Sequence, residues 1–114
     1  MPILKIQTNE EIADQKSFRQ EASEMIADLL QKPVDYIMII LEEADMLFAN
    51  DDAPCVYAEL KSIGLPEDRT TEFSEKICSF FENQLSIPKN RVYIEFTSTE
   101  RHMLGWNGKT FLKP

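Results

Sequence analysis

One histidine, two cysteines, three glycines and no long apolar run are spread over 114 residues. Each shortage removes a class of function. His102, Cys55 and Cys78 are too few and too scattered for a transition-metal site. Three glycines leave no Gly-rich loop to cradle a phosphate. Without 18 consecutive apolar residues there is no membrane-spanning helix. The N-terminus lacks a basic segment followed by an apolar stretch and a small-residue cleavage site, so no secretion signal is expected. Basic residues are also in short supply: 12 Lys and Arg face 20 Asp and Glu, giving a net charge of −8. Nucleic-acid binding needs clustered cations and is disfavoured. Two cysteines without an export signal read as free thiols in a reducing, cytoplasmic compartment.

What is present is an ordinary globular composition, 43% apolar and 28% charged, sized for a single domain spanning 1–114. ILKIQT (3–8) alternates as a strand. From about Ile12 to Gln31 the residues Phe18, Ala22, Met25, Ile26, Leu29 and Leu30 follow helical spacing, and Pro33 ends the run. YIMIILEE (36–43) reads as a buried strand, and ADMLFANDDAP (44–54) as a loop or broken edge segment. CVYAELKSIG (55–64) is a strand, 67–85 a second helix and RVYIEFTS (91–98) a strand, with GWNGKTF (105–111) closing the chain.

A shift of 55 residues superimposes the two halves, about 2–50 on 54–104. Phe18 falls on Phe73, Ala22 on Ile77, Ile26 on Phe81, Leu30 on Leu85, Pro33 on Pro88, and Ile39 on Ile94. This is a tandem β-α-β repeat. It predicts an α+β (α/β) fold: one four-stranded mixed sheet with two helices on a single face. The consecutive apolar residues of YIMIILEE then suggest an uncovered apolar sheet face, which association between copies would bury.

Pro2 raises a separate question. At the first strand position a proline costs little. If Met1 is removed, it also becomes a free secondary amine, both base and nucleophile. The stretches MPILKIQTN, KPVDYIMI, MLFANDDAPC, ELKSIG, IPKNRVYIEF and GWNGKTF, in this order, resemble the tautomerase superfamily and within it the macrophage migration inhibitory factor family. The resemblance implies a homotrimeric barrel and a keto–enol tautomerase without metal or organic cofactor. Its catalytic group is Pro2, acting on a small carboxylated carbonyl substrate. It implies Lys32 as the carboxylate-binding cation, the Ile63 amide as a ligand contact, and Tyr93 as a contribution from a neighbouring subunit. Tyr36, Leu104, Trp106 and Phe111 form the pocket wall.

Two alternatives stay open: a cytokine-like protein that binds a receptor, reaching it by unconventional secretion, and a hydratase-type enzyme using Glu95. Glu95 stands where the mammalian cytokine has asparagine, and a carboxylate there would favour a protonated Pro2. The cytokine's Cys-x-x-Cys is here Cys55-Val56-Tyr57-Ala58, so a dithiol redox activity has no chemical basis. Glu42, Glu43, Asp45, Asp51 and Asp52 lack EF-hand spacing and read as a solvated loop.

Overall fold

The structure, a computed structural model, describes residues 1–112. Strand β1 (Ile3–Thr8) leads into helix α1 (Gln15–Leu30) and strand β2 (Met38–Glu43). Strand β3 (Val56–Ile63), helix α2 (Thr70–Leu85) and strand β4 (Val92–Thr99) follow. A small hairpin of β5 (Gly105–Trp106) and β6 (Lys109–Thr110) closes the described chain. The helices start at 15 and 70 and end at 30 and 85, the same offset of 55 at both ends.

The main sheet has the order β2-β1-β3-β4. β1 runs parallel to β2, β3 runs parallel to β4, and the two pairs meet antiparallel through β1 and β3. The sheet is mixed and four-stranded, as the repeat predicts. Both helices pack on one face of it. Phe18, Ala22, Ile26 and Leu29 of α1, with Phe73, Ile77, Cys78 and Phe81 of α2, meet Leu4, Ile6, Val56, Ala58, Leu60 and Val92 in one core. The strand residues sit at every second position, as pleating requires.

Element ends depart from expectation for local reasons. Helix α1 begins at Gln15 rather than Ile12, because Asp14 accepts the Ser17 N–H at 3.0 Å and caps the helix there. Residues 67–69 form a 3₁₀ turn ahead of α2 instead of its first turn. Tyr36 and Ile37 lie outside strand β2. A 3₁₀ turn over Val34–Tyr36, with the Tyr36 N–H on the Pro33 carbonyl at 3.1 Å, occupies the chain first. The closing hairpin turns on Asn107 and Gly108, both at positive φ (54° and 75°), the geometry of a two-residue type I′ connection.

The uncovered sheet face is not the apolar patch suggested above. Register places three rows across it: Met38-Ile3-Lys61-Thr97, Ile40-Lys5-Glu59-Glu95 and Glu42-Gln7-Tyr57-Tyr93. Only β2 is mostly apolar on both faces; apart from Ile3 and Ile63, β1, β3 and β4 carry Lys, Gln, Glu, Thr and Tyr at the alternate positions. Lys5 stands 3.8 Å from Glu42 and 3.9 Å from Glu59.

The 44–54 segment is held by two side chains, Arg91 and Asn9, the latter donating to the Asp52 and Ala53 carbonyls at 3.1 and 3.2 Å. Arg91 donates to the carbonyls of Phe48, Asp51, Ala53 and Pro54 at 2.9–3.3 Å. Its guanidinium also lies 5.1 Å from the centre of the Phe48 ring. No helix among the described residues is long and apolar enough to cross a membrane.

Candidate functional site

Strand directions bring distant segments together at one end of the sheet. Because β1 and β3 are antiparallel, the start of β1 lies beside the end of β3, where Ile3 pairs with Lys61. Because β4 is parallel to β3, its end arrives there too, followed by Arg101. Because β2 is parallel to β1, its leading segment 32–37 joins them, and the Met38 N–H donates to the Pro2 carbonyl at 3.1 Å.

A cavity of about 630 Å³ opens at this convergence. Met1, Pro2, Lys32, Pro33, Tyr36, Ile63, Gly64, Arg101, Trp106 and Phe111 line it. That volume suits a small organic ligand. A contiguous hollow of about 220 Å³ shares Pro2, Tyr36, Trp106 and Phe111 and adds Leu104 and the acidic Asp35. Six of the sequence-derived residues (Pro2, Lys32, Ile63, Tyr36, Trp106 and Phe111) therefore face one space, and Leu104 adjoins it.

Each is positioned by local structure. Pro2 is fully buried at the head of β1. Lys32 follows Gln31, which ends α1 in the left-handed region at φ 55°. The Lys32 N–H returns to the Ala27 carbonyl at 3.0 Å, so the chain leaves the helix abruptly and Pro33 keeps it from resuming. Trp106 and Phe111 stack across the hairpin with ring centres 6.0 Å apart. The Phe111 N–H bonds the carbonyls of Arg101 and Leu104 at 3.1 and 3.2 Å, tying the hairpin to the segment after β4.

Tyr93 and Glu95 are not on this lining. Both lie on the uncovered face of β4. Tyr93 packs against Phe48 with the rings tilted by 39° and their centres 4.7 Å apart. Glu95 accepts the Tyr57 O–H at 2.7 Å, while Glu59, opposite Glu95 in register, lies 3.3 Å from the same hydroxyl. Two like charges directly across a strand pair repel, and the shared phenol relieves this. The same contacts push the Tyr57 hydroxyl up to about 12, the Glu95 hydrogen bond first.

Arg101 is the residue that sequence reading missed. In TSTERHML it looks like one more surface charge, and its spacing ahead of GWNGKTF was the only signal. It brings a second cation to the cavity. The terminal amine, here on Met1, is held below its ordinary value by partial burial first, then by Lys32 and by Arg101. A neutral amine beside two cations can take a proton from an acidified C–H while the cations hold anionic oxygens. Among the described residues no cluster of His, Cys, Asp or Glu could hold a metal ion. Cys55 and Cys78 are both unpaired and buried, and burial pushes the Cys78 thiol up, away from reactivity.

The family model for macrophage migration inhibitory factor (MIF) matches residues 1–112. A macrophage migration inhibitory factor homolog from Brugia malayi is 35% identical, over 97% of this chain and 99% of its own. The crystal structure of a homologue from Prochlorococcus marinus is 41% identical, with a TM-score of 0.89 over 96% of this chain and 98% of that one. The structure of the Trichinella spiralis factor is 30% identical with a TM-score of 0.90, over 96% and 99% of the two chains.

Proposed function

The chain belongs to the macrophage migration inhibitory factor family, and from that premise we propose that it is a keto–enol tautomerase whose base is the Pro2 amine. Met1 is removed in this reading, and the free secondary amine of Pro2 takes its place at the cavity. The observation that carries the proposal is the shared lining: buried Pro2 directly after Met1, Lys32 and aromatic walls around one space. Burial and neighbouring cations act on the terminal amine in the direction a neutral base requires.

The amine removes the proton from the carbon beside the substrate carbonyl. The C–H electron pair becomes the new C=C bond, and the carbonyl pair moves to oxygen. The proton returns from nitrogen to that oxygen, so nothing is oxidised or reduced. Ketonisation is the same path reversed. Lys32 and the Ile63 amide hold the substrate carboxylate, and the rings of Tyr36, Trp106 and Phe111 exclude water from its other end. In a homotrimer, Tyr93 and Glu95 on the uncovered face of β4 are offered to a neighbouring subunit's cavity.

The test is the ketonisation rate of enol-phenylpyruvate with Met1-free protein, verified by intact mass. Pro2→Gly removes most of the rate above buffer. Equal rates for wild type and variant would sink the mechanism.

A further inference from the structure

Lys32 and Arg101 are the two cations of a cavity whose lining contains no Asp or Glu. That is unusual in a chain where acids outnumber bases by 20 to 12. Some basic groups have partners: Lys5 stands between Glu42 and Glu59, Arg69 and Lys76 share Glu72, and Arg91 caps four carbonyls. Lys16, Arg19, Lys61, Lys89 and Lys109 have none among the described residues, so what sets Lys32 and Arg101 apart is that they share one cavity. Among the described residues neither Lys32 nor Arg101 is in an ion pair. They come from the two halves of the chain, one from the turn after α1 and one from the turn after β4, and line the same cavity as Pro2.

Arg101 is not on a free loop. It opens a 3₁₀ turn closed by the Met103 N–H on the Glu100 carbonyl at 3.0 Å. Its own carbonyl is fixed by Phe111, whose ring stacks on Trp106. One carboxylate needs one cation. Two like charges on the lining of one cavity, with Asp35 only in the contiguous hollow, repel each other until anions neutralise both. A guanidinium adds a planar fork that matches a carboxylate with two parallel hydrogen bonds.

We propose that Arg101 is a second anion-binding group, and that this site prefers enolisable 2-oxo acids carrying a second carboxylate over 2-oxo acids with one. The proposal rests on the tautomerase reading for its chemistry. The bonds made and broken are those given above for proton transfer. Lys32 holds the carboxylate next to the reacting carbonyl, and Arg101 holds the distal one. Arg101 is thus a specificity residue: it touches substrate away from the reacting atoms.

Two arms test it with Met1-free protein. In the first, wild type and Arg101→Ala ketonise enol-oxaloacetate, a dicarboxylic probe, and enol-phenylpyruvate, a monocarboxylic one, with kcat and KM separated. The ratio of kcat/KM for diacid over monoacid is expected to fall about tenfold in the variant, the scale of one lost charge-assisted hydrogen-bonded contact. The fall comes mainly through KM, and Arg101→Lys restores part of it. Taking the ratio cancels any change that Arg101 makes to the amine itself. In the second arm, NMR shift perturbation compares succinate with its monomethyl ester. Succinate binds more tightly to wild type, and Arg101→Ala removes that advantage.

An unchanged diacid-to-monoacid ratio, together with succinate binding that does not depend on Arg101, overturns the proposal. Pro2-dependent turnover of the monoacid would then stand untouched. Absence of turnover with both enols sinks the tautomerase reading, and the succinate arm decides the two-anion site by itself.

Discussion

Truncation of Leu4 tests whether β1 is as firmly held as a strand carrying the terminal amine must be. Leu4 is 0% exposed, sits between Ile39 of β2 and Leu60 of β3 in register, and belongs to the core that both helices share. Leu4→Ala loses about 2 kcal/mol of transfer free energy for the carbons removed. With neighbours on both flanking strands inside a shared core, the site can collapse little. A residual cavity of about 60 Å³ adds about 1.5 kcal/mol. The expected cost is therefore about 3.5 kcal/mol, a large part of the roughly 5–15 kcal/mol that holds such a domain together. Urea unfolding at fixed protein concentration reads it directly, and the melting temperature should drop by roughly 14 °C. Leu47→Ala is the control, since Leu47 is 70% exposed, and its cost should stay below about 0.5 kcal/mol. A cost under about 1 kcal/mol for Leu4→Ala would refute the reasoning. The sheet would then relax around β1, and Pro2 would not be carried by a rigid strand.

Arg91→Ala removes a guanidinium that holds the carbonyls of Phe48, Asp51, Ala53 and Pro54. It should cost about 2 kcal/mol and expose the amides of residues 44–54 to faster hydrogen exchange than the rest of the sheet; unchanged exchange there would contradict it. The terminal amine makes a pH prediction. Its folded-state pKa lies below the ordinary 8.0, so between the two values the unfolded chain binds more protons. Stability therefore falls as pH drops through that window and the penalty is constant below it. With Met1 removed, the amine passes to buried Pro2 in the same cavity, so burial acts in the same direction. The ketonisation rate should rise with pH and level off above the lowered midpoint. Lys32→Met removes one of the causes of the shift and should move that midpoint upward; a downward shift or none would contradict the assignment.

Much of the fold was legible because its signals are local. The stripe Phe18-Ala22-Ile26 and its copy Phe73-Ile77-Phe81 mark the helices. Pro33 and Pro88 mark where they must already have ended. The start of α1 was less legible, since the apolar Ile12 lies just ahead of the Asp14 cap. The nature of the second sheet face was misread from one strand. YIMIILEE is apolar at consecutive positions, but β1 and β3 alternate, and Lys5, Gln7, Glu59 and Lys61 decide that face. Asn107-Gly108, both at positive φ, is a readable hairpin signal within the closing GWNGKTF stretch. At the site, Pro2, Lys32 and Ile63 came from motif resemblance, and strand direction explains why those three segments meet. Arg101 was illegible because its surroundings in sequence, Glu100 and His102, are charged or titratable. Only the return of β4 to the head of β1 puts its side chain in the cavity.

The most direct test of the central claim compares two preparations of the same chain, distinguished by intact mass. In one the Pro2 nitrogen is a free amine; in the other Met1 is retained and that nitrogen is an amide without basic character. Ketonisation of enol-phenylpyruvate is measured with both at equal concentration and pH. The account predicts acceleration over buffer by the free-amine form alone. Equal acceleration by both forms would contradict it, because a proline nitrogen already acylated cannot carry the proton.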